Sequence, residues 1–126
     1  MSKVKVQVTR EVFDEVLDYL GEHFEVSSNQ DDRPFTPTEL AQVLADKQGA
    51  LTVLTDRIDE VLIAHCPQLK AVCNIAVGYN NFDLKAMSAR GVLGTNTPGV
   101  LDAATADFTW ALILASARRL TEAEAW

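Results

Sequence analysis

Apolar and polar positions alternate in two rhythms along this chain, and the switch from one to the other repeats five times. Val4, Val6 and Val8 alternate with Lys5 and Gln7, the period of two that marks a strand. Val12, Phe13, Val16, Leu17 and Leu20 then recur at helical spacing, with Gly21 as the predicted stop and Glu11, Asp14, Glu15, Asp18 and Glu22 on a solvated outer face. Residues 24–26 predict a short strand and 27–34 a surface loop. Thr36-Pro37-Thr38-Glu39 reads as a capping box with proline at the first helical position, opening a helix that buries Leu40, Val43 and Leu44 and closes at Gly49. Residues 50–54 form the third strand. Ile58, Val61, Leu62 and His65 fall at i, i+3, i+4 and i+7, so a third helix ends before Pro67.

The run 69–77 is almost continuously apolar, broken by Asn74, which is the composition of a strand covered on both faces of a parallel sheet. Asp83 caps a fourth helix that passes through Leu84 and Met87 to Gly91, and 92–95 make the fifth strand. Alternation at this spacing implies right-handed crossovers and a doubly wound α/β architecture, a five-stranded flavodoxin-like parallel sheet. The final segment departs from the pattern. From an expected N-cap at Asp102 a long helix continues to Trp126, apolar nearly all round at Phe108, Trp110, Leu112, Ile113 and Leu114. Such a helix normally lies between two bodies, and with no stop signal at its end the chain reads as cut.

Composition adds limits. At 126 residues the chain suits one domain that buries roughly two-thirds of its unfolded surface, without staples. Eighteen acidic against eleven basic residues give a net charge of -7, so nucleic acid is not an expected partner. No apolar run reaches the ~20 residues that span a bilayer, no signal peptide precedes the first strand, and a cytoplasmic protein is expected. Cys66 and Cys73 belong to no metal-ligand cluster and read as reduced packing residues. No metal site is expected.

Ligands of open α/β sheets bind beyond the carboxyl ends of the strands. Three such ends carry candidate chemistry: Leu54-Thr55-Asp56, Val77-Gly78-Tyr79-Asn80-Asn81 and Asn96-Thr97-Pro98. Gly78 permits positive φ and close backbone approach, and neighbouring N–H groups can form a nest for a small carboxylate. The same residues equally suit a plain turn between strand and helix. His65 reads as a packed or half-exposed histidine, because no acid or cysteine nearby would orient it. There is neither a GxGxxG nor a P-loop. Asp56 would be the acceptor of a phospho-receiver, but Thr9-Arg10-Glu11 stands where that fold needs an acidic pair.

Val77-Gly78-Tyr79-Asn80-Asn81-Phe82-Asp83, Arg90-Gly91, Asn96-Thr97-Pro98-Gly99-Val100-Leu101 and Thr105-Ala106-Asp107 together resemble the D-isomer-specific 2-hydroxyacid dehydrogenases. Residues 51–59 are similar to the glyoxylate and hydroxypyruvate reductase branch. The resemblance implies a substrate domain over residues 1–100, assembled from both ends of a longer chain, and over 101–126 the start of an interdomain helix leading to a nucleotide-binding domain. It implies that the backbone of Val77 and Gly78 holds the substrate carboxylate and Leu54 lines the pocket. Val77 and Thr105 would face NAD or NADP. The family's glycine fingerprint and its catalytic arginine, glutamate and histidine have no counterparts here. The 126 residues alone are therefore expected to be inactive, to hold no cofactor tightly, and to self-associate or exchange the apolar helix, whereas the complete enzyme is expected to be a homodimer acting on a small 2-keto or 2-hydroxy acid. The alternatives are a free-standing flavodoxin-like module that binds a small anion, and a corepressor-like interaction module, for which no dedicated groove is evident.

Overall fold

A computed structural model describes residues 3–125; Met1, Ser2 and Trp126, and with them the expected helical end at Trp126, lie outside the described residues. Five parallel strands, β1 (Val4–Val8), β2 (Phe24–Ser28), β3 (Gly49–Thr52), β4 (Ala71–Asn74) and β5 (Leu93–Thr95), form one sheet in the order β2-β1-β3-β4-β5. This is the flavodoxin-like order, with its reversal between β1 and β3. The helices α1 (Asp14–His23), α2 (Pro37–Leu44), α3 (Glu60–His65) and α4 (Leu84–Arg90) connect successive strands.

Strand order decides which face each helix covers. The crossover from β1 to β2 runs one way and those that follow run the other, so right-handedness places α1 on one face and α2, α3 and α4 on the opposite one. The register agrees. Ala50 pairs with Val72 and Val72 with Gly94, and that face packs with Leu40, Leu44, Ile58, Leu62, Ile63 and Met87 into the main core. Each fully buried leucine or isoleucine there contributes about 1.5–3 kcal/mol. Val6, Gly49, Ala71 and Leu93 line the other face. Near β1 that face is covered, with Val8 fully buried, but toward β5 it is open, with Leu93 63% exposed.

This openness corrects the expectation that the fourth strand is covered on both sides. Cys73 is exposed rather than packed, while Cys66 is buried, its thiol pushed up by burial. Helix limits shift too. Gly21 lies inside α1 instead of ending it, Gly49 begins β3 instead of closing α2, and the buried side of α3 is Leu62 and Ile63, leaving Val61 and His65 outside. A helix of six residues turns less than twice, so its true starting point at Asp59 decides which residues face inward.

The local signals behave as their chemistry requires. The Thr36 hydroxyl accepts from the Glu39 N–H and the Glu39 carboxyl accepts from the Thr36 N–H, the two halves of a capping box. Asp83 accepts from the Ala86 N–H, and Gly91 takes φ 67° to end α4. The Arg33 guanidinium, then the Thr36 cap, hold the Glu39 carboxyl at about 2 instead of the usual 4.5. A carboxyl depressed in the folded state adds stability above its unfolded value and loses it as pH falls through the folded one. Replacing Glu39 with glutamine is therefore expected to flatten the acid dependence of the urea midpoint between pH about 4.5 and about 2. Solvent screening keeps the effect small.

The last segment is helical, with limits other than those expected. In α5 (Asp102–Ala117) Asp102 is the first helical residue rather than the cap, and Leu101 occupies the cap without a side-chain bond. Arg119 then adopts φ 50°, which ends the helical run before the short α6 (Leu120–Glu124). No residue of α5 is buried, and Trp110 is 64% exposed. Among the described residues no helix is long and apolar enough to cross a membrane.

Candidate functional site

The carboxyl ends of β3 and β4 open on one edge, where the chain leaves as two loops that run side by side. Ile58 and Phe82 form a parallel bridge between them: the Ile58 N–H donates to the Asn81 carbonyl at 2.8 Å and the Asp83 N–H to the Ile58 carbonyl at 2.8 Å. Leu54 stands on the first loop and Gly78 on the second. A Cβ built on Gly78 would lie 3.7 Å from Leu54 Cδ2, so the structure brings these two predicted residues together. Gly78 does so without the positive φ that glycine permits.

The second loop turns three consecutive carbonyls toward its own scaffold. The Ala76 carbonyl accepts from the Thr97 N–H at 2.8 Å, that of Val77 from Asn96 Nδ2 at 2.7 Å, and that of Gly78 from Asn74 Nδ2 at 3.0 Å. In a trans peptide the N–H points opposite its carbonyl. The N–H groups of Val77, Gly78 and Tyr79 accordingly face away from these partners, and none has an acceptor among the described residues. Adjacent backbone donors beside an apolar Leu54 suit a small anion that also carries a carbon skeleton.

Thr105 sits exposed in the first turns of α5, its N–H donating to the Leu101 carbonyl and its own carbonyl accepting from Thr109 Oγ1. His23 lies at the end of α1 beside Glu22, and His65 Nδ1 is 2.8 Å from the Val61 carbonyl on the outside of α3. Among the described residues no group of three potential metal ligands converges. Asp56 is 2% exposed, bonded to Thr9 Oγ1 at 2.5 Å and to the Val53 N–H at 3.1 Å, so it joins the ends of β1 and β3.

Two features escaped the sequence. Asn74 pairs its amide reciprocally with that of Asn81, and its one advance sign was a polar residue in an otherwise apolar strand. An apolar groove of about 610 Å³, lined by Phe35, Leu40, Ala41, Val61 and Leu62, also runs between α2 and α3, where no dedicated groove was expected.

The family model described as D-isomer specific 2-hydroxyacid dehydrogenase, catalytic domain, matches residues 6–123. The chain belongs to this family. Among its dehydrogenase relatives, the glyoxylate reductase of Aeropyrum pernix is 44% identical over 124 residues, a match that takes in 98% of this chain and 37% of the relative. That of Thermococcus gammatolerans is 43% identical with the same coverage. Among solved structures, a protein from Thermus thermophilus superimposes with a TM-score of 0.84 at 38% identity, covering 98% of this chain and 40% of its own. An NADPH-dependent glyoxylate/hydroxypyruvate reductase from Sinorhizobium meliloti, solved with NADP and malonate, gives 0.77 at 30% identity, covering 99% and 38%. This member of the dehydrogenase family thus spans little more than a third of the curated relatives it matches.

Proposed function

We propose that this chain is the substrate-binding portion of a longer, cytoplasmic, homodimeric NAD(P)H-dependent reductase. That enzyme converts a small 2-keto acid of the glyoxylate or hydroxypyruvate type to its D-2-hydroxy acid. The observation that carries the proposal is the set of unpartnered N–H groups at Val77 and Gly78 opposite Leu54. These donors hold the substrate carboxylate, and Leu54 closes the carbon end of the pocket against water. The relatives' names and the malonate and NADP of the Sinorhizobium enzyme support the same chemistry.

For the nicotinamide cofactor this chain offers a partial fit. Val77 would border the nicotinamide, and the Thr105 hydroxyl, which makes no hydrogen bond among the described residues, would be available to its phosphates. The cofactor, when bound, supplies the hydride. The glycine fingerprint and the arginine, glutamate and histidine of the family reaction belong to the remainder of the protein, so this chain fixes the substrate and does not itself move a proton.

Two uncovered apolar surfaces agree with that division. The open sheet face at Cys73 and Leu93 lacks the helix that a second crossover would lay beside α1, and no residue of α5 is buried. A segment returning from the far end of the complete chain covers the first, and a nucleotide-binding domain beginning after residues 1–100 covers the second. Left uncovered, faces of this size drive association.

The full-length protein is expected to oxidise NADH or NADPH in the presence of glyoxylate, whereas the 126-residue chain shows no turnover and sediments heavier than a monomer, by self-association or helix exchange. A full-length protein inert toward every 2-keto acid overturns the function. Turnover by the short chain overturns the assignment of the reactive groups elsewhere.

A further inference from the structure

We infer that Asn74 and Asn81 form a positioning clasp that sets the separation between the Leu54 loop and the Val77-Gly78 loop, and with it the width of the substrate slot. The inference rests on the functional reading above and adds residues to which that reading gives no role.

Asn74 ends β4 and is 2% exposed. Its Nδ2 donates to the Gly78 carbonyl at 3.0 Å and to Asn81 Oδ1 at 3.0 Å, while its Oδ1 accepts from Thr52 Oγ1 at 3.1 Å and from Asn81 Nδ2 at 3.3 Å. Asn81 Nδ2 reaches across to the first loop, to the Val53 carbonyl at 3.2 Å and the Asp56 carbonyl at 2.8 Å. The two amides therefore link the carbonyls that flank Leu54 in sequence to the carbonyl of Gly78. Each carbonyl so held fixes the orientation of a peptide plane, and the plane that begins at Gly78 adjoins the donors proposed for the carboxylate.

The network is internally complete: among the described residues no buried side-chain nitrogen or oxygen lacks a partner. A satisfied buried amide network is stiff, because any shift of one member strands another without a partner. The side-chain bonds of both asparagines go to Thr52, Val53, Asp56, Gly78 and each other, so each acts through the loops rather than on substrate.

The test uses the full-length protein with Asn74→Ser, whose hydroxyl is too short to reach the Gly78 carbonyl, and Asn81→Ser as a second variant should the first fail to fold. The expected result is a KM for glyoxylate raised about tenfold, equivalent to ~1.4 kcal/mol of lost binding, with kcat and the cofactor Kd little changed. Hydrogen exchange of the hydrogen-bonded loop amides of Ile58, Phe82 and Asp83 is expected to accelerate about tenfold as well, while β4 stays protected. An unchanged KM in a folded variant overturns the clasp, as does a parallel loss of kcat, cofactor affinity and thermal stability, which is the mark of a merely structural role. If the unmutated protein reduces no keto acid, the functional reading fails by itself, and unchanged exchange at Ile58, Phe82 and Asp83 then overturns the clasp separately.

Discussion

Replacing Gly78 with alanine and then valine in the full-length protein is expected to lower kcat/KM for glyoxylate by roughly tenfold and roughly a hundredfold, with little change in melting temperature. Fold and function separate here because of the geometry at this one residue. Gly78 does not occupy the left-handed region, so an L side chain meets no backbone strain there. The nearest heavy atom to a built Cβ is Leu54 Cδ2 at 3.7 Å, an ordinary van der Waals contact, so the alanine variant packs without displacing its neighbours. The added carbon nonetheless enters the gap between Leu54 and the loop, which is the space assigned to the substrate. Larger side chains fill it further. Steady-state kinetics beside a thermal melt check the prediction, and a valine variant with unchanged KM and kcat would place the substrate elsewhere.

Asp56→Ala is expected to destabilise the fold by about 2–4 kcal/mol, read from the urea midpoint of the full-length protein. The side chain is buried where β1 and β3 diverge, and it accepts from both Thr9 Oγ1 and the Val53 N–H. Alanine leaves both donors without that acceptor, although Thr9 retains the Leu51 carbonyl at 3.2 Å. Thr9→Val should cost less than Asp56→Ala, because the carboxyl then keeps the Val53 N–H. The double variant should cost less than the sum of the two, since both remove the same bond. Full additivity would show that the pair does not act as a unit. This outcome also bears on ligand binding at the reversal point of the sheet, where flavodoxin-like folds place a crevice. Here Thr9 and Asp56 fill the junction, and Asn29 Nδ2 closes over it through the Thr9 carbonyl at 3.0 Å.

The features legible from the chain were those whose chemistry is short-ranged. The capping box at Thr36 and Glu39, the cap at Asp83 and the left-handed Gly91 each depend on partners within one helical turn, and each formed as read. The five alternations of period two and period 3.6 were sufficient for a parallel α/β sheet, because right-handed crossovers leave few other ways to bury those stripes. Leu54 and Gly78 were legible as strand-end residues, and the resemblance added their roles. Thr105 was legible only through that resemblance, and it stands on an exposed helix.

What remained illegible depends on partners far along the chain. Asn74 looked like an interruption because its acceptors and donors come from Thr52, Gly78 and Asn81, and Asp56 was read only as a strand-end residue because its partner lies 47 residues earlier. The exposure of Cys73 and Leu93 follows from strand order, which alone decides that three helices share one face and only α1 takes the other. Hydrophobic period, caps and turns are set by neighbours in sequence and so determined the elements and their order. Which polar groups meet, and which apolar faces stay open, was decided only in the tertiary structure, because those contacts form when crossovers bring distant strand ends onto one edge.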